Sequence, residues 1–487
     1  MKVRAPNRQG ATTPGDFQQL SRGTGSPPGL RHVVIVLALF LLGCVARPPV
    51  AAEDAPPDPG PVAGEPPPPF LDAPLPEPVP AAPVLPALDH EPVVDVLLAG
   101  GAVVSFDLLV PASHPVLGTV AAGKHEARVG ATGLVIDGRM IAADRLELTQ
   151  GPAAVRFACT AVQGSTSMPL RFGGQLVLRL DRGSPAEPAR VELGERVPME
   201  DYLIGVIGNE MLPSWPAAAL AAQTIAARSY AADRWLRRQG RPWHLSWHQN
   251  RDMAYRGVPA KIQPSVQAAV ASTRGQVLLV GGLPLPALFH AGSGGRTADL
   301  AALMPKLTAA DGRTSVAAAL ASCDDPASER GARGLRLPAS HLRWMASVDL
   351  DRLAAAVAAL RREPQATILG VSMTSDPGDG RARSVSFRLR PPPRPGSATA
   401  PVAGPAAERT VTVDAAALRL SIGSMLLRST WWTSSVIENG QWRVHGRGFG
   451  HGVGLSQVGA WQLARDGLGA AAILKHYYGG AALERRW

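Results

Sequence analysis

Hydrophobic and polar positions follow two different rhythms along this chain, and the change falls near residue 198. From Pro92 to about Glu195, short apolar or alternating runs are separated by Gly and Pro: VVDVLLAG, GLVIDG, RMIAADRLEL and GQLVLRLD. Runs of that length, closed by turn residues, predict β-strands. From Pro198 to Gln239 the rhythm is helical. Ser214 and Pro216 mark a helix start, and Leu220, Thr224, Ala227, Ala231 and Trp235 then recur at i+3 and i+4 spacing. Ala221, Ala222, Ala226 and Ala227 keep this helix thin, so that another element can approach it closely. Further on, QVLLV, SVSFRLR and RTVTVD predict strands, while residues 350–362 and 458–466 predict helices. The sum is an α+β fold: a β-rich N-terminal part, central helices, and a mixed sheet with inserted helices. No internal repeat of solenoid length is present.

The N-terminus changes the picture. Arg31 and His32 precede VVIVLALFLLG, a run too short to span a bilayer but suited to the apolar part of a signal peptide. Leu41-Leu42-Gly43-Cys44 resembles a bacterial lipobox, in which cleavage before the cysteine leaves its sulfur to carry a diacylglycerol. Residues 1–44 are therefore expected to be a lipoprotein-type signal with Cys44 as the lipidation site; an uncleaved anchor with an incidental cysteine is the other reading. Residues 45–91, as in PPDPGPVAGEPPPPF, have the composition of a semi-extended tether. Residues 92–487 form the expected domain, with the Pro/Gly run 391–408 as an internal surface loop. The expected location is exported and membrane-anchored, facing the cell wall or periplasm.

Composition narrows the partners. The 487 residues are enough for one or two sizeable cores. The net charge of +10 rests on arginine rather than lysine and admits a polyanionic surface. No stretch interleaves basic and aromatic residues, so nucleic acid is not an expected partner. Beyond Cys44 only Cys159 and Cys323 remain, open to either a disulfide or two buried thiols. His244 and His248 in HLSWH stand at i and i+4, a spacing that can hold zinc on a helix. They lack the Glu of HExxH and any evident further ligand. No metal, zinc included, and no cofactor is expected.

Three stretches carry candidate chemistry. In RVPMEDYLIGVIGNEMLPSW, Glu210 follows an apolar run (Leu203, Ile204, Val206, Ile207) and precedes Met211-Leu212-Pro213. Burial there would raise its pKa, the condition for a general acid; exposure at the helix end is the plain alternative. Glu200 and Asp201 read as first-turn acids suited to a helix N-terminus. On the next helix, Gln223 and Arg228 interrupt the small apolar segment AAQTIAARSYA. Such polar groups either pair or line a site: Arg228 could orient Glu210 or bind an acidic sugar substituent, and Tyr230 could stack on a pyranose. HAGSGGRT, with Ser293 and Arg296, could line a cleft but contains no GxSxG. In GRGFGHGVGLSQVGAW, five alternate glycines from Gly446 to Gly454 surround His451 and precede Ser456 and Gln457. That alternation, including Gly450 and Gly452, reads as a strand-like face stripped of Cβ atoms on which a flat ligand or another backbone could lie. A loop needing positive φ is the alternative. It is neither a dinucleotide fingerprint nor a P-loop.

Together these stretches resemble the SpoIID/LytB family, comprising stage II sporulation protein D and the amidase-enhancer LytB proteins. The likeness rests on VPMEDYLIGVIGNEM…PAAALAAQTIAARSYA, TRGQVLLVGGLPLPALFHAGSGGRT and GRGFGHGVGLSQVGAWQLARDG…ILKHYYGG. Weaker matches, RFGGQLVLRL and LRLSIGSMLLRSTWW, extend it over roughly residues 92–485. The resemblance implies a peptidoglycan lytic transglycosylase acting on peptide-stripped glycan strands, with Glu210 as catalytic acid and Arg228, His451, Ser456 and Gln457 on the family's motif positions. The alternative it implies is a non-catalytic enhancer that binds the wall or an N-acetylmuramoyl-L-alanine amidase. Some members bind zinc through Cys and His, whereas WHLSWHQNRDMAYRG has histidines only, and Ala254 stands where the family has Gln before Tyr.

Overall fold

The alternating runs of the N-terminal part become the strands of two sheets whose inward faces share one core. A seven-stranded sheet runs in the order Leu245–Ser246, Val93–Gly101, Arg190–Pro198, Gln175–Asp181, Arg145–Gln150, Ala112–His114 and Gly118–Val120. A six-stranded sheet runs Thr166–Phe172, Phe157–Gln163, Val103–Leu108, Gly123–Val129, Leu134–Ile136 and Arg139–Ile141. Val94, Val96 and Leu98 from the first sheet and Val104, Phe106 and Leu108 from the second are all buried together. Each such side chain contributes roughly 1.5–3 kcal/mol on leaving water. RMIAADRLEL is not one strand. It breaks after Ile141, and its halves Arg139–Ile141 and Arg145–Gln150 belong to different sheets. The segment turns a corner, with the Ala143 N–H bonded back to the Ile141 carbonyl at 2.8 Å.

This computed structural model describes residues 85–163, 166–185, 187–249, 251–259, 261–303, 314–391 and 407–487. The signal-like segment, Cys44, most of the tether and most of the 391–408 run lie outside them. Leu85 is fully buried against Ala232, Val277 and Leu279, so packing begins seven residues before Pro92, inside the stretch read as tether. Among the described residues no helix is long and apolar enough to cross a membrane. Cys159 and Cys323 are free thiols, and burial pushes the Cys159 thiol up to about 12.

Two helices follow the last long strand: α1, Met199–Glu210, and α2, Ala217–Arg237. Ala219, Ala222, Ala226, Ala227 and Ala231 are fully buried, because α2 is enclosed on several sides. Helices α1, α3 (Pro264–Ser272), α7 (Gln457–Arg465) and α8 (Ala470–Tyr477) and strand Gln276–Val280 all pack on it. Only small side chains permit so many close neighbours. HLSWH lies on extended chain, where Leu245 and Ser246 pair in parallel with Val96 and Leu97. His244 and His248 therefore do not share a helical face, and His244 Nδ1 accepts the Asp95 N–H at 3.0 Å.

A second core lies between the last two sequence blocks. Strands Arg343–Asp349, Gln441–Arg447 and Trp432–Glu438 form one three-stranded sheet, and Thr367–Ser375, Ala382–Arg390 and Arg409–Asp414 another. Helices α5 (Leu350–Arg361) and α6 (Ala415–Ile422) cover them, with Trp442, Phe387, Val385 and Leu353 at the centre. Helix α4, Pro326–Gly334, precedes this insertion and packs on α7. The chain's end, Ala482–Arg485, pairs antiparallel with Gln276–Val280 and ties the last block to the second.

Candidate active site

Glu210 is the last residue of α1, half-buried, at the point where Met211 turns extended (φ −132°) ahead of Pro213. A segment around Tyr255 crosses this helix. Gly205 makes the crossing possible, since a Cβ there would stand 2.5 Å from the Tyr255 ring. The Arg256 N–H bonds the Gly205 carbonyl at 3.1 Å, and the Ala254 N–H then reaches Glu210 Oε1 at 2.9 Å. Burial raises the Glu210 pKa above its ordinary value; the Ala254 N–H, the Gln457 amide and the Arg256 charge pull it down in part.

Gln457 comes from the far end of the chain. Phe289–His290 and Leu455–Ser456 pair in parallel, which brings HAGSGGRT beside the glycine-rich block. Ser456 caps α7, its Oγ accepting the Gly459 N–H at 3.1 Å. Gln457, the first residue of that helix, points its Nε2 at Glu210 Oε2, a long contact of 3.5 Å. Contacts of this kind tighten when a substrate is bound.

The glycine block is not a bare strand. Gly446 ends the strand Gln441–Arg447, but Gly448, Gly450, Gly452 and Gly454 all have positive φ, from 70° to 105°. Their missing Cβ atoms leave room for the protein itself. A Cβ on Gly450 would stand 2.8 Å from His290 Cβ, on Gly452 2.5 Å from the Arg381 guanidinium, and on Gly448 2.7 Å from the Ser293 carbonyl. The loop conformation is the one adopted, and the protein's own groups, backbone at Gly448 and Gly454 and side chains at Gly450 and Gly452, fill the bare positions. His451 faces the same interior: its Nδ1 accepts the Val453 N–H at 3.1 Å, so its Nε2 donates to the Phe289 carbonyl at 2.9 Å. Burial, with Arg419 and Arg381 nearby, lowers its pKa to about 4, so the ring is neutral.

Other sequence candidates do structural work. Arg228 is fully buried and clamps Glu200 through Nε (3.0 Å) and Nη2 (2.6 Å), with Nη1 on Thr273 Oγ1 and the Gln276 carbonyl. It does not orient Glu210. Glu200, expected to serve the helix N-terminus, spends its carboxylate on this pair and on the Trp487 indole. Tyr230 cannot stack on a sugar: it is buried, donates to Asp252 at 3.0 Å, and carries the Arg234 guanidinium 4.7 Å from its ring centre. Gln223 is fully buried with no partner for its amide among the described residues. Ser293 donates to Asp325 at 2.8 Å inside the protein, whereas half-exposed Arg296 pairs with Asp324 at 2.8 Å.

Sequence reasoning missed the Ala254 N–H, because a backbone donor has no side-chain signature. It also missed Arg256 and the buried acids Glu195 and Asp325, which sit in segments that read as strand and loop. Among the described residues no group of three or more His, Cys, Asp or Glu is arranged to hold a metal ion.

A family model described as stage II sporulation protein, SpoIID, matches residues 188–279, which include Glu210 and Ala254. The chain is 26% identical over 309 residues to an amidase enhancer of Bacillus subtilis (strain 168), covering 58% of this chain and 40% of that protein. It is 26% identical over 284 residues to an uncharacterized protein of Brachyspira hyodysenteriae (strain ATCC 49526 / WA1), with coverages of 58% and 65%. Against stage II sporulation protein D of Bacillus amyloliquefaciens it is 25% identical over 302 residues, covering 59% and 74%. The chain thus spans less than two thirds of the first two relatives. The family model lies on the helices that carry Glu210, and two of the relatives bear the two family names, so the comparisons support the SpoIID/LytB family for this chain.

Proposed function

We propose that the protein is a peptidoglycan lytic transglycosylase that cleaves between N-acetylmuramic acid and N-acetylglucosamine in peptide-stripped strands, with Glu210 as its acid. The observation that carries this reading is the half-buried Glu210 carboxyl, whose pKa burial raises while two donors reach its oxygens. Such a group holds its proton to a higher pH than an exposed carboxyl and can deliver it to a glycosidic oxygen. The C1–O bond then breaks, the muramyl C6 hydroxyl attacks C1, and the Glu210 carboxylate takes the hydroxyl proton. The products are a 1,6-anhydro end and a new free hydroxyl, with no water consumed. Intramolecular attack needs no second catalytic carboxylate. That suits a site where Asp252, which acts on the same Tyr202 hydroxyl as Glu210, is committed to Tyr230, the Ser246 N–H and Arg238.

The test is digestion of purified peptide-free glycan strands by the wild type and Glu210→Gln, read by mass spectrometry. Anhydro ends from the wild type alone support the assignment; equal release by both proteins refutes it. The name of the Bacillus subtilis relative favours a second reading, a wall-bound enhancer of an N-acetylmuramoyl-L-alanine amidase. In that case the chain retains strands without cutting them, and Glu210→Gln stimulates an added amidase as well as the wild type does. A lipid anchor at Cys44 suits either role.

A further inference from the structure

Glu210 is held from two directions, and each hold is anchored by a buried carboxyl one residue along the chain. On one side the Ala254 N–H bonds Glu210 Oε1 at 2.9 Å. The next residue, Tyr255, is buried and donates its hydroxyl to Glu195 Oε2 at 2.5 Å, while Glu195 Oε1 accepts the Gly174 N–H. On the other side the Gln457 amide reaches Oε2. The residue before it, Ser456, is fully buried, and its hydroxyl is among the groups that lower the pKa of Asp325. Asp325 accepts from Ser293 Oγ at 2.8 Å, the Tyr477 hydroxyl at 3.0 Å and the Ser328 N–H at 3.1 Å. One carboxylate thereby joins the HAGSGGRT loop, α4, α7 and α8.

Glu195 and Asp325 are fully buried, and among the described residues neither has an ion-pair partner. An unneutralised buried carboxyl is costly and opposes folding. The same two clamps can be made with neutral side chains, so folding alone gives no reason to retain the charge. Both acids sit where they fix the donors of Glu210.

We propose that Glu195 and Asp325 are positioning residues that set the two donors on Glu210 and thereby tune its acidity. This rests on the reading of Glu210 as the acid. Both donors stabilise the ionised carboxylate and lower its pKa against the opposing effect of burial. Loosening either donor leaves Glu210 a weaker acid in a less defined place, so turnover falls while strand binding persists. The charged and titratable groups facing Glu210 are Arg256, which lowers its pKa, and Tyr202, whose hydroxyl feels its charge. The substitutions below leave both in place.

Tyr255→Phe removes only the anchoring hydroxyl, Ser456→Ala removes one that also caps α7, and Glu195→Gln and Asp325→Asn remove the anchors' charge. Each folded variant is assayed on peptide-free strands across pH, and the Glu210 carboxyl is followed by 13C NMR. The expected result is a kcat about tenfold lower with KM within about twofold. The alkaline limb and the Glu210 titration both move to higher pH, by about half a unit or more. A kcat loss with both unmoved means a structural role only and overturns the proposal. A wild type that releases no anhydro ends sinks the catalytic reading instead. Even then, a Glu210 titration unmoved in the hydroxyl-deletion variants overturns the positioning role.

Discussion

The side-chain amide of Gln457 meets the carboxylate of Glu210 across 247 residues of sequence. One partner ends the first helix after the N-terminal sheets, and the other begins a helix beyond the inserted second core. The contact is the point at which the first and last sequence blocks become one site, with the Ala254 N–H completing it from a third segment.

Arg228 belongs to the scaffold behind that site. Arg228→Ala leaves the Glu200 carboxylate buried without its bidentate partner. The expected cost is about 3–5 kcal/mol, as for other broken buried pairs. Urea unfolding measures it. The fraction that remains folded should still cleave strands at the wild-type rate, because Arg228 has no contact with Glu210.

The glycines separate by what stands against them. Gly452→Ala combines φ +88° with a Cβ 2.5 Å from the Arg381 guanidinium, whereas Gly440→Ala has φ +73° and nothing within 4 Å. Gly440→Ala should cost about 1 kcal/mol, a conformational cost alone, and Gly452→Ala clearly more. Equal melting temperatures for the two variants would contradict the packing role assigned to the ribbon.

Glu195 predicts how stability depends on pH. Burial raises its pKa from 4.5 to about 7, so the unfolded state ionises first as pH rises. The stability it contributes is full below about pH 4.5 and is lost as pH climbs through 7, about 3 kcal/mol at 1.36 kcal/mol per unit. Comparing unfolding free energies at low and high pH, the decline should be shallower in Glu195→Gln than in the wild type.

His451 runs the other way. Its pKa falls from 6.5 to about 4, so the unfolded state takes up a proton first as pH drops. Its contribution is present above about pH 6.5 and is lost on acidification toward 4. In 15N–1H spectra the ring should stay neutral with its proton on Nε2 from pH 8 down to 5. A titration centred near 6.5 would show the imidazole open to water.

Much was legible in the sequence because it is local. The strand runs at Val93–Gly101, Gln175–Asp181 and Gln276–Val280 follow from residue spacing, as does the long helix opened by Pro216. The alanines of α2 announced close neighbours, and four helices and the strand Gln276–Val280 are among those that supply them. The apolar run before Glu210 left open a buried or an exposed carboxyl, and burial raises the pKa of this one. Hydrophobic periodicity and desolvation act through neighbours along the chain, so a linear reading can reach them.

What needed the tertiary structure is partner choice. The sequence could set Arg228 near chemistry but could not say that Glu200 takes both its nitrogens, or that Arg234 covers Tyr230. It could show that Gly446–Gly454 is bare but not that Ser293, His290 and Arg381 occupy the space. It could not find the Ala254 N–H at all. A buried polar group must be satisfied by whatever donor the fold brings within about 3 Å. That donor is selected by packing between distant segments, which no spacing along the chain encodes.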